Sequence, residues 1–468
     1  MSEVSLTITE EQDALLRQHL FPQDGCEAVA IGLCGRRDGK TRHRLLLRKL
    51  VLVPYDQCSE RSPDRVTWPT RYLEPLLYEA AKNHDAIVKI HGHRGFKEFS
   101  FVDDDSDREL FPSIYSWMDD GLPHLSAIVV DDGSVIARVV DDTGAFTPLA
   151  TVAIVGDGIR FSVADDKEAA PIPHHAKRIA QSFGSSTYEH LRRLRVAVIG
   201  CSGTGSVVIE QLARNCVGGL VLVDPDVVER KNLNRILNST SQDAASMTPK
   251  VEVARRSIEA MGLGTVVQSF QRTLFDSEVV CAVGECDMVF GCVDTVDGRH
   301  LLNKLCTFYS LPYIDLGVRI DADGAGGVDQ VCGSVHYLKP GGASLFSRNL
   351  YTMEQVRSAG LFRTDPKAYQ SQLKDGYIRG VREDQPAVIQ LNSLIASIAV
   401  NELLARLHPY RSDPNCDFAV SRVSLSHGIF DHESEGAACQ MLSRHVGRGD
   451  VDPLLDWAEL STLSSEAA

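Results

Sequence analysis

One stretch near the middle of the chain constrains the fold more than any other. A short apolar run at 196–199 is typical of a buried parallel strand. A turn of small residues at 200–205 follows it, then a helical pattern at 207–212 and a second apolar run at 220–223 that ends on Asp224. Strand, glycine turn, helix, strand and acid in this order predict a nucleotide-binding βαβ unit.

Each part of this stretch has a property that suits a nucleotide. Gly200, Gly203 and Gly205 let the backbone approach a phosphate closely, and the helix that follows offers free N–H groups and a positive dipole end. The Asp224 carboxylate can accept hydrogen bonds from ribose hydroxyls. Taken alone, the glycine pattern also fits a dinucleotide-binding dehydrogenase.

Charged and amide side chains further along favour a triphosphate over a dinucleotide. Asn232 and Arg235 follow the second strand, and Lys250 stands in the first turn of the next predicted helix. Asp294 follows a later apolar run. This set supplies two cations for a triphosphate and one carboxylate for magnesium.

With these motifs, residues 172–410 resemble the ThiF/MoeB family, relatives of ubiquitin-activating enzymes that adenylate the C-terminal glycine of a ubiquitin-like protein. The resemblance implies that Asp224 binds the ribose of ATP and that Asp294 holds magnesium. It also implies that phosphates are held by three side chains, those of Asn232, Arg235 and Lys250. The segment 386–392 fits the family as well.

The resemblance extends to a segment upstream of the first strand. The run 177–179 followed by Phe183 and Gly184 matches the arginine-finger segment of the family. It implies that Arg178 acts across a homodimer.

The chain departs from the family pattern in its zinc-binding cysteines and in the cysteine that would transfer the substrate. Many relatives hold a structural zinc ion on two CxxC pairs. Here serines follow Pro340 and Gly341 where the first pair of cysteines would be, so we expect no zinc in this region. We expect the segment to be looser instead, or to be stabilised by a dimer. For a transfer thiol, Cys332 is the first choice because we expect it to precede an irregular segment. The alternatives are Cys306 and Cys201, which we expect to pack, and direct attack on the adenylate by a partner or by a hydroxyl such as Ser344.

The first 165 residues contain a second set of chemistry-bearing residues. His91 and His93 end a predicted strand, where a period of two places both imidazoles on one face. Ser100 can cap a turn that aims Asp103 back at them. Two imidazoles and a carboxylate suit zinc, and Glu27, in a predicted apolar strand, would have a raised pKa suited to proton transfer.

The complete set resembles the JAMM (MPN+) metalloprotease family, whose members remove ubiquitin-like tags. The resemblance implies that His91, His93 and Asp103 bind one zinc ion. It implies that Glu27 is the general acid/base and that Ser100 stabilises the oxyanion. Arg94 replaces the usual proline after the second histidine, and the acids at 103–107 could be alternative ligands.

The pattern of elements predicts an α/β chain of two domains. Residues 1–165 read as an α+β JAMM-like domain, 166–176 as a linker, and 177–468 as a Rossmann-like adenylation domain with a doubly wound, mostly parallel sheet. We expect helices at 7–20 and 385–407 and an irregular segment at 335–385.

The composition of the chain limits where the protein can be located and which partners it can bind. A net charge of −15 disfavours nucleic acid and anionic membranes. The first residues lack a signal-peptide pattern, no apolar run is long enough to span a membrane, and the twelve cysteines include no CxxC pair. These features favour a cytoplasmic protein with reduced thiols.

Together the motifs predict one enzyme of a bacterial ubiquitin-like conjugation system. It would use ATP, magnesium and zinc to adenylate a ubiquitin-like partner and to trim or deconjugate it, as a homodimer. A conjugating-enzyme-like protein is a candidate second partner. One alternative is adenylation of a sulfur carrier or peptide in cofactor or natural-product synthesis, with the first domain used for recognition. Another is a regulatory scaffold with inactive sites.

Overall fold

A computed structural model describes residues 3–162, 171–322, 327–374 and 388–461. The chain divides into two compact units. The first comprises Met1–Ala170 together with Phe308–Ser310 and His445–Trp457, and the second comprises the rest. The sequence-based division assigned everything after 177 to one domain, whereas thirteen residues near the C-terminus, His445–Trp457, belong to the first unit.

The first unit contains three helices and eleven strands in its described residues. The helices are α1 (Glu10–Leu20), α2 (Glu74–Asn83) and α3 (Phe101–Met118). The strands are β1 (Glu3–Thr9), β2 (Val29–Asp38), β3 (Arg42–Leu52), β4 (Glu60–Ser62), β5 (Arg65–Thr67), β6 (Ala86–His93), β7 (His124–Val130), β8 (Val135–Val140), β9 (Phe146–Pro148), β10 (Thr151–Val155) and β11 (Ile159–Ser162). Nine of them form one sheet in the order β11-β10-β1-β3-β2-β6-β7-β8-β9, and β4 pairs with β5.

The first helix begins later than predicted. Thr9 is its N-cap, and a reciprocal capping box links Thr9 and Gln12. Residues before this cap form β1, which pairs in parallel with β10 on one side and β3 on the other. The cap was readable from the sequence, but the strand depends on partners far along the chain.

Helices cover both faces of the nine-stranded sheet. On one face, Leu16 and Leu20 of α1 pack into an apolar cluster with residues of the central strands. On the other face, Leu76 of α2 and Phe111 of α3 pack into a second cluster. The two buried faces explain why β6 is buried along its whole length.

Two antiparallel hairpins lie at one end of the chain segment that forms this sheet. β7 and β8 pair antiparallel around the turn that contains Gly133. The φ of 103° at this residue is one that glycine adopts without strain. β10 and β11 pair antiparallel around Gly156. Both turns lie between apolar runs, which is the usual hairpin signature.

The second unit contains ten helices and eight strands in its described residues. The helices are α4 (Lys177–Phe183), α5 (Ser185–Arg193), α6 (Gly203–Arg214), α7 (Ser241–Ala245), α8 (Lys250–Met261), α9 (Ser277–Gly284), α10 (Val296–Phe308), α11 (Met353–Thr364), α12 (Pro366–Lys374) and α13 (Ile389–Leu407). The strands are β12 (Arg195–Ile199), β13 (Gly219–Val223), β14 (Val266–Phe270), β15 (Met288–Gly291), β16 (Tyr313–Ala322), β17 (Val328–Leu338), β18 (Val420–Ser424) and β19 (Ile429–Glu433).

These eight strands form a mixed sheet in the order β14-β13-β12-β15-β16-β17-β18-β19. The pairs from β14 to β16 are parallel, and the pairs from β16 to β19 are antiparallel. The prediction of a mostly parallel sheet is therefore too simple. The Rossmann-like half was readable because fully buried strands are continuous apolar runs, whereas the antiparallel half carries polar residues on its exposed side.

Two segments of the second unit differ from the predictions in opposite ways. The predicted buried helix at 385–407 is confirmed as α13 from Ile389 onward, while residues 385–387 lie outside the described part of the chain. The predicted irregular segment at 335–385 is wrong over the end of β17 and over α11 and α12. None of the described helices combines the length and apolar character needed to span a bilayer.

The segment His445–Trp457 completes the first unit by lying against the end of β2. Gly449 bridges Arg36 in parallel, and the Asp450 N–H donates to the Arg36 carbonyl at 2.6 Å. The Asp450 carboxylate accepts from the Arg37 guanidinium at 2.9 Å and from the Asp38 N–H at 3.2 Å. Gly449 has a φ of 63°, and a Cβ atom there would overlap the Arg36 backbone.

We expect Gly449→Ala to destabilise the first unit more than Gly121→Ala does. Both glycines have a left-handed φ, 63° and 61°, but no atom lies within 4 Å of a Cβ at Gly121. Each substitution costs about 1–2 kcal/mol for the left-handed backbone, and overlap at Gly449 adds about 1–3 kcal/mol. Thermal unfolding, with hydrogen exchange of the β2 amides, measures the difference; equal effects would show that the segment is not packed on β2.

Candidate metal centre and candidate nucleotide site

The end of β6 brings two imidazoles together, as the period-two pattern predicted. The Nε2 atoms of His91 and His93 are 3.0 Å apart, and both side chains are buried. The Asp103 carboxylate completes the group, with Oδ1 2.8 Å from His91 Nε2 and Oδ2 3.4 Å from His93 Nε2. Three donor atoms from two elements therefore converge on one point.

The capping box at the start of α3 fixes the orientation of the Asp103 side chain. Ser100 is the N-cap of this helix, and its hydroxyl accepts from the Asp103 N–H at 3.2 Å. In return, Asp103 Oδ2 accepts from the N–H and the hydroxyl of Ser100, both at 2.7 Å. The predicted cap is confirmed, and the same carboxylate serves both the capping box and the histidine pair.

The geometry of the group fits a tetrahedral metal ion. Ligand atoms 2.0–2.1 Å from a tetrahedral zinc ion are about 3.3 Å apart. Here the two Nε2 atoms are 3.0 Å apart, and the carboxylate approaches His91 through Oδ1 at 2.8 Å and His93 through Oδ2 at 3.4 Å. Among the His, Cys, Asp and Glu residues of the described ranges, His91, His93 and Asp103 form the one group of three whose ligand atoms cluster in this way. Burial opposes ionisation of Asp103, but hydrogen bonds from His91, His93 and Ser100 hold its pKa well below the usual range.

Glu27 lies beside this group but not within a strand. β2 begins two residues later, at Val29, and the Glu27 N–H donates to the Ser62 carbonyl. Glu27 Oε1 is 4.0 Å from His93 Nε2, and the side chain is 11% exposed. Burial raises the pKa of Glu27 to about 7, as the sequence predicted in direction.

The other acids of the 103–107 run have cationic partners. The buried carboxylate of Asp107 binds Lys89 Nζ at 2.7 Å and the Arg138 guanidinium at 2.6 Å. Asp104 binds the same guanidinium at 2.5 Å, whereas Asp105 is exposed. Asp104 and Asp107 are therefore counter-ions, and the expectation that they could be alternative metal ligands is wrong. Sequence reasoning missed Lys89 and Arg138 because their partners are set by the fold.

The second unit carries a different site at the carboxyl ends of β12 and β13. Asp224 is buried, and its Oδ2 accepts from the Cys201 N–H at 2.8 Å, which ties the glycine turn to the end of β13. Burial raises the pKa of Asp224. A Cβ atom at Gly200 would lie 2.6 Å from the Cys292 carbonyl oxygen, so the turn also contacts the segment after β15.

The predicted phosphate ligands converge on this turn from two sides. Lys250 Nζ is buried at the start of α8, 3.7 Å from Asp224 Oδ1 and 2.7 Å from Asp226 Oδ2. Arg235 is half-buried, and its Cδ atom is 3.4 Å from the position that a Cβ would take at Gly203.

Asn232 is buried between these elements, and its Oδ1 accepts from the Glu229 N–H at 3.0 Å. The carbonyl of this side chain is thus occupied in shaping the loop that carries Arg235. The prediction that Asn232 itself contacts a phosphate stays a prediction.

Comparison with known proteins adds the family. The model of the ThiF family matches residues 175–426. The chain belongs to the ThiF family. The match covers the glycine turn, the side chains described around it, and every strand of the second sheet except β19.

Curated relatives match part of this ThiF domain. The ubiquitin-like modifier-activating enzyme 5 of Culex quinquefasciatus is 31% identical over 172 residues, which are 34% of this chain and 41% of that protein. The enzyme of the same name from Caenorhabditis elegans is 32% identical over 171 residues, 34% of this chain and 38% of that protein. The chain thus spans about two fifths of the curated relatives it matches.

Among solved structures, the chain matches E. coli MccB with ATP, which is 18% identical, covers 57% of this chain and 74% of that chain, and has a TM-score of 0.43. A crystal structure of PaaA is also 18% identical, covers 58% of this chain and 77% of that chain, and has a TM-score of 0.42.

Two further predicted residues of the ThiF domain lie on its surface. Asp294 is exposed two residues after Cys292, which contacts the glycine turn. Arg178 is exposed on α4, and the structure contains one copy of the chain. Arg299, five residues after Asp294, pairs with the fully buried Asp315 at 3.4 Å.

The structure corrects the reasoning about the transfer thiol. Cys332 does not precede an irregular segment, because it lies inside β17, opposite Arg319 of β16 and Ser424 of β18. Cys201 and Cys306 are both buried, as expected. Burial raises the pKa of the Cys201 thiol well above its usual range.

The looser conformation expected after Pro340 is not observed. The Glu435 carboxylate accepts from the Ala343 N–H at 2.8 Å and from the Arg348 guanidinium at 3.0 Å. Ser344 and Ser347 also exchange hydrogen bonds between backbone and hydroxyl groups. A half-buried ion pair between distant residues therefore holds the segment, which spacing in the sequence could not indicate.

We expect Asp107→Asn to destabilise the first unit strongly and Asp105→Asn to have little effect. Removing the Asp107 charge leaves Lys89 and Arg138 buried without a full counter-ion, which costs about 3–5 kcal/mol, whereas exposed Asp105 contributes less than about 0.5 kcal/mol. Urea unfolding of the two variants measures this. Similar midpoints would contradict the assignment of Asp107 as a structural counter-ion.

Proposed function

We propose that the ThiF domain adenylates the C-terminal carboxylate of a ubiquitin-like protein, using ATP and magnesium. The observation that carries the proposal is the convergence of Asp224, Lys250 and Arg235 on one glycine turn at the carboxyl ends of parallel strands. This is where α/β sheets bind nucleotides.

The reaction requires positioning and charge neutralisation from the protein. A carboxylate oxygen of the substrate attacks the α-phosphorus of ATP, the bond from that phosphorus to the bridging oxygen breaks, and pyrophosphate leaves. No proton is transferred in this step. Arg235 and Lys250 neutralise the phosphates, the buried Asp224 accepts hydrogen bonds from the ribose, and the helix α6 directs its N-terminus at the phosphates.

Asp294 suits magnesium because it is an exposed carboxylate beside the turn that would hold the triphosphate. Magnesium supplies positive charge between the phosphates when it is bound. Arg178 would add a cation from a second copy of the chain in a homodimer, and its exposure leaves it available for that role.

The expected test is pyrophosphate exchange with MgATP and a ubiquitin-like protein that ends in Gly-Gly. We expect exchange with the wild type and a loss of at least about 100-fold in Asp294→Ala, because charge-stabilising groups contribute on this scale. Asp431→Ala, an exposed acid on β19, is the control and should exchange normally.

The outcomes separate the proposal from its alternatives. Unchanged exchange in Asp294→Ala would falsify the magnesium assignment. Exchange with a sulfur carrier or a short peptide, but not with a ubiquitin-like protein, would favour the alternative substrate class. A folded wild type that binds no ATP in calorimetry would favour a regulatory scaffold.

We also propose that the first unit is a zinc-dependent peptidase of the JAMM type that cuts the tail or the conjugate of the same partner. The three convergent donor atoms of His91, His93 and Asp103 support it. Zinc supplies Lewis acidity when bound there. Glu27 holds and transfers a proton, since its raised pKa lies near neutrality. Ser100 would stabilise the oxyanion only if its hydroxyl turned away from Asp103, to which it donates.

Metal analysis of protein purified without chelator tests this second proposal. We expect about one zinc per chain in the wild type and less than about 0.1 in His91→Ala plus His93→Ala, because two of three ligands are lost. His174→Ala plus His175→Ala removes two exposed histidines and should keep the zinc. Wild-type protein without zinc, or a double variant that retains it, would contradict the assignment.

A further inference from the structure

The side chain of Asn392 is the one buried amide of α13 that has no hydrogen-bond partner. Asn392 is 1% exposed, and neither its Nδ2 nor its Oδ1 has a partner among the described residues. A buried amide without partners is costly, so its presence in a native structure calls for an explanation such as a functional role or a bound water or ion. The elements around Asn392 show which ligand that would be.

The amide of Asn392 is directed at the glycine turn. A Cβ atom at Gly203 would overlap Asn392 Nδ2 and would lie 3.2 Å from Asn392 Cγ. The same position is 3.4 Å from Arg235 Cδ. The glycine at position 203 therefore leaves room for the amide. The side chains of Asn392 and Arg235 both lie against this residue of the turn.

The N-terminus of α6 at this point is an independent sign of an anion site. α6 is twelve residues long, and its N-cap, Ser202, makes no side-chain capping hydrogen bond. The first N–H groups of a helix need acceptors, and an anion can supply them. The uncapped start of α6 and the unpartnered amide of Asn392 thus lie at the same residue, Gly203.

We infer that Asn392 is a ligand of the nucleotide phosphates held at this turn, donating from Nδ2 to a phosphate oxygen. The inference rests on the proposed adenylation site and adds to it a residue from a helix about 190 positions away in the sequence. A phosphate has acceptors only, so it suits the amide nitrogen. Packing alone accounts poorly for this side chain, because an apolar residue of the same size would fill the space without an unpartnered polar group.

Asn392→Leu is the sharpest variant, because the two explanations predict opposite behaviour. If Asn392 binds phosphate, MgATP affinity falls roughly 10- to 100-fold, as for loss of a hydrogen bond to a charged group. The nucleotide-free protein should melt no lower than the wild type, because an unpartnered amide is replaced by an apolar side chain. Calorimetry with MgATP and thermal unfolding with and without MgATP measure both.

Two further variants complete the experiment. Asn401→Leu makes the same substitution on an exposed residue of α13, roughly 13 Å along the helix axis, and should bind MgATP like the wild type. Asn392→Asp keeps the shape but places a negative charge beside the phosphates, so it should bind MgATP at least as weakly as Asn392→Leu, and it serves as the test if the leucine variant does not fold.

Each result decides the inference. Folded Asn392 variants that bind MgATP as tightly as the wild type would overturn it and leave the proposed function intact. A folded wild type that binds no MgATP would overturn the proposed function and this inference with it. Weakened binding in both Asn392 variants, with normal binding in Asn401→Leu, supports it.

Discussion

The placement of one buried carboxylate holds each candidate site together. In the second unit, Asp224 binds the backbone of the glycine turn at 2.8 Å and lies 3.7 Å from the Lys250 ammonium. A buried charge has to be matched by donors or cations, so the turn and the start of α8 are held next to the end of β13. Backbone hydrogen bonds act alongside the carboxylate, because the Gly200 N–H donates to the Val223 carbonyl at 2.8 Å and the Lys250 N–H donates to the Asp226 carbonyl at 3.1 Å.

The first unit uses the same physical solution with other partners. Asp103 satisfies the start of α3 and, at the same time, faces two imidazoles at the end of β6. One side chain therefore couples the geometry of a helix terminus to that of a strand terminus. The pair Lys89 and Arg138 fixes the next turn of the same helix through Asp107.

Local patterns in the sequence predicted the histidine pair with Asp103 and the glycine turn between β12 and α6. The period of two along β6, the cap at Ser100 and the glycine turn before α6 each depend on residues close together in the chain, and the structure brings together His91, His93 and Asp103. The antiparallel strands β17–β19, the Glu435–Arg348 pair and the counter-ions of Asp107 could not be predicted, because each depends on contacts between residues far apart in sequence. The same holds for Asn392, whose position in an apolar helix gave no sign of the turn it faces.

The packing of His445–Trp457 against β2 also sets an order of events during synthesis. Asp450 and Arg37 are 413 positions apart in the chain. At roughly 5–20 residues per second, a ribosome needs roughly 20–80 s between them. For that time the end of β2 is exposed to solvent without its last partner. The unit whose synthesis begins first can therefore complete its fold only after most of the chain has been made.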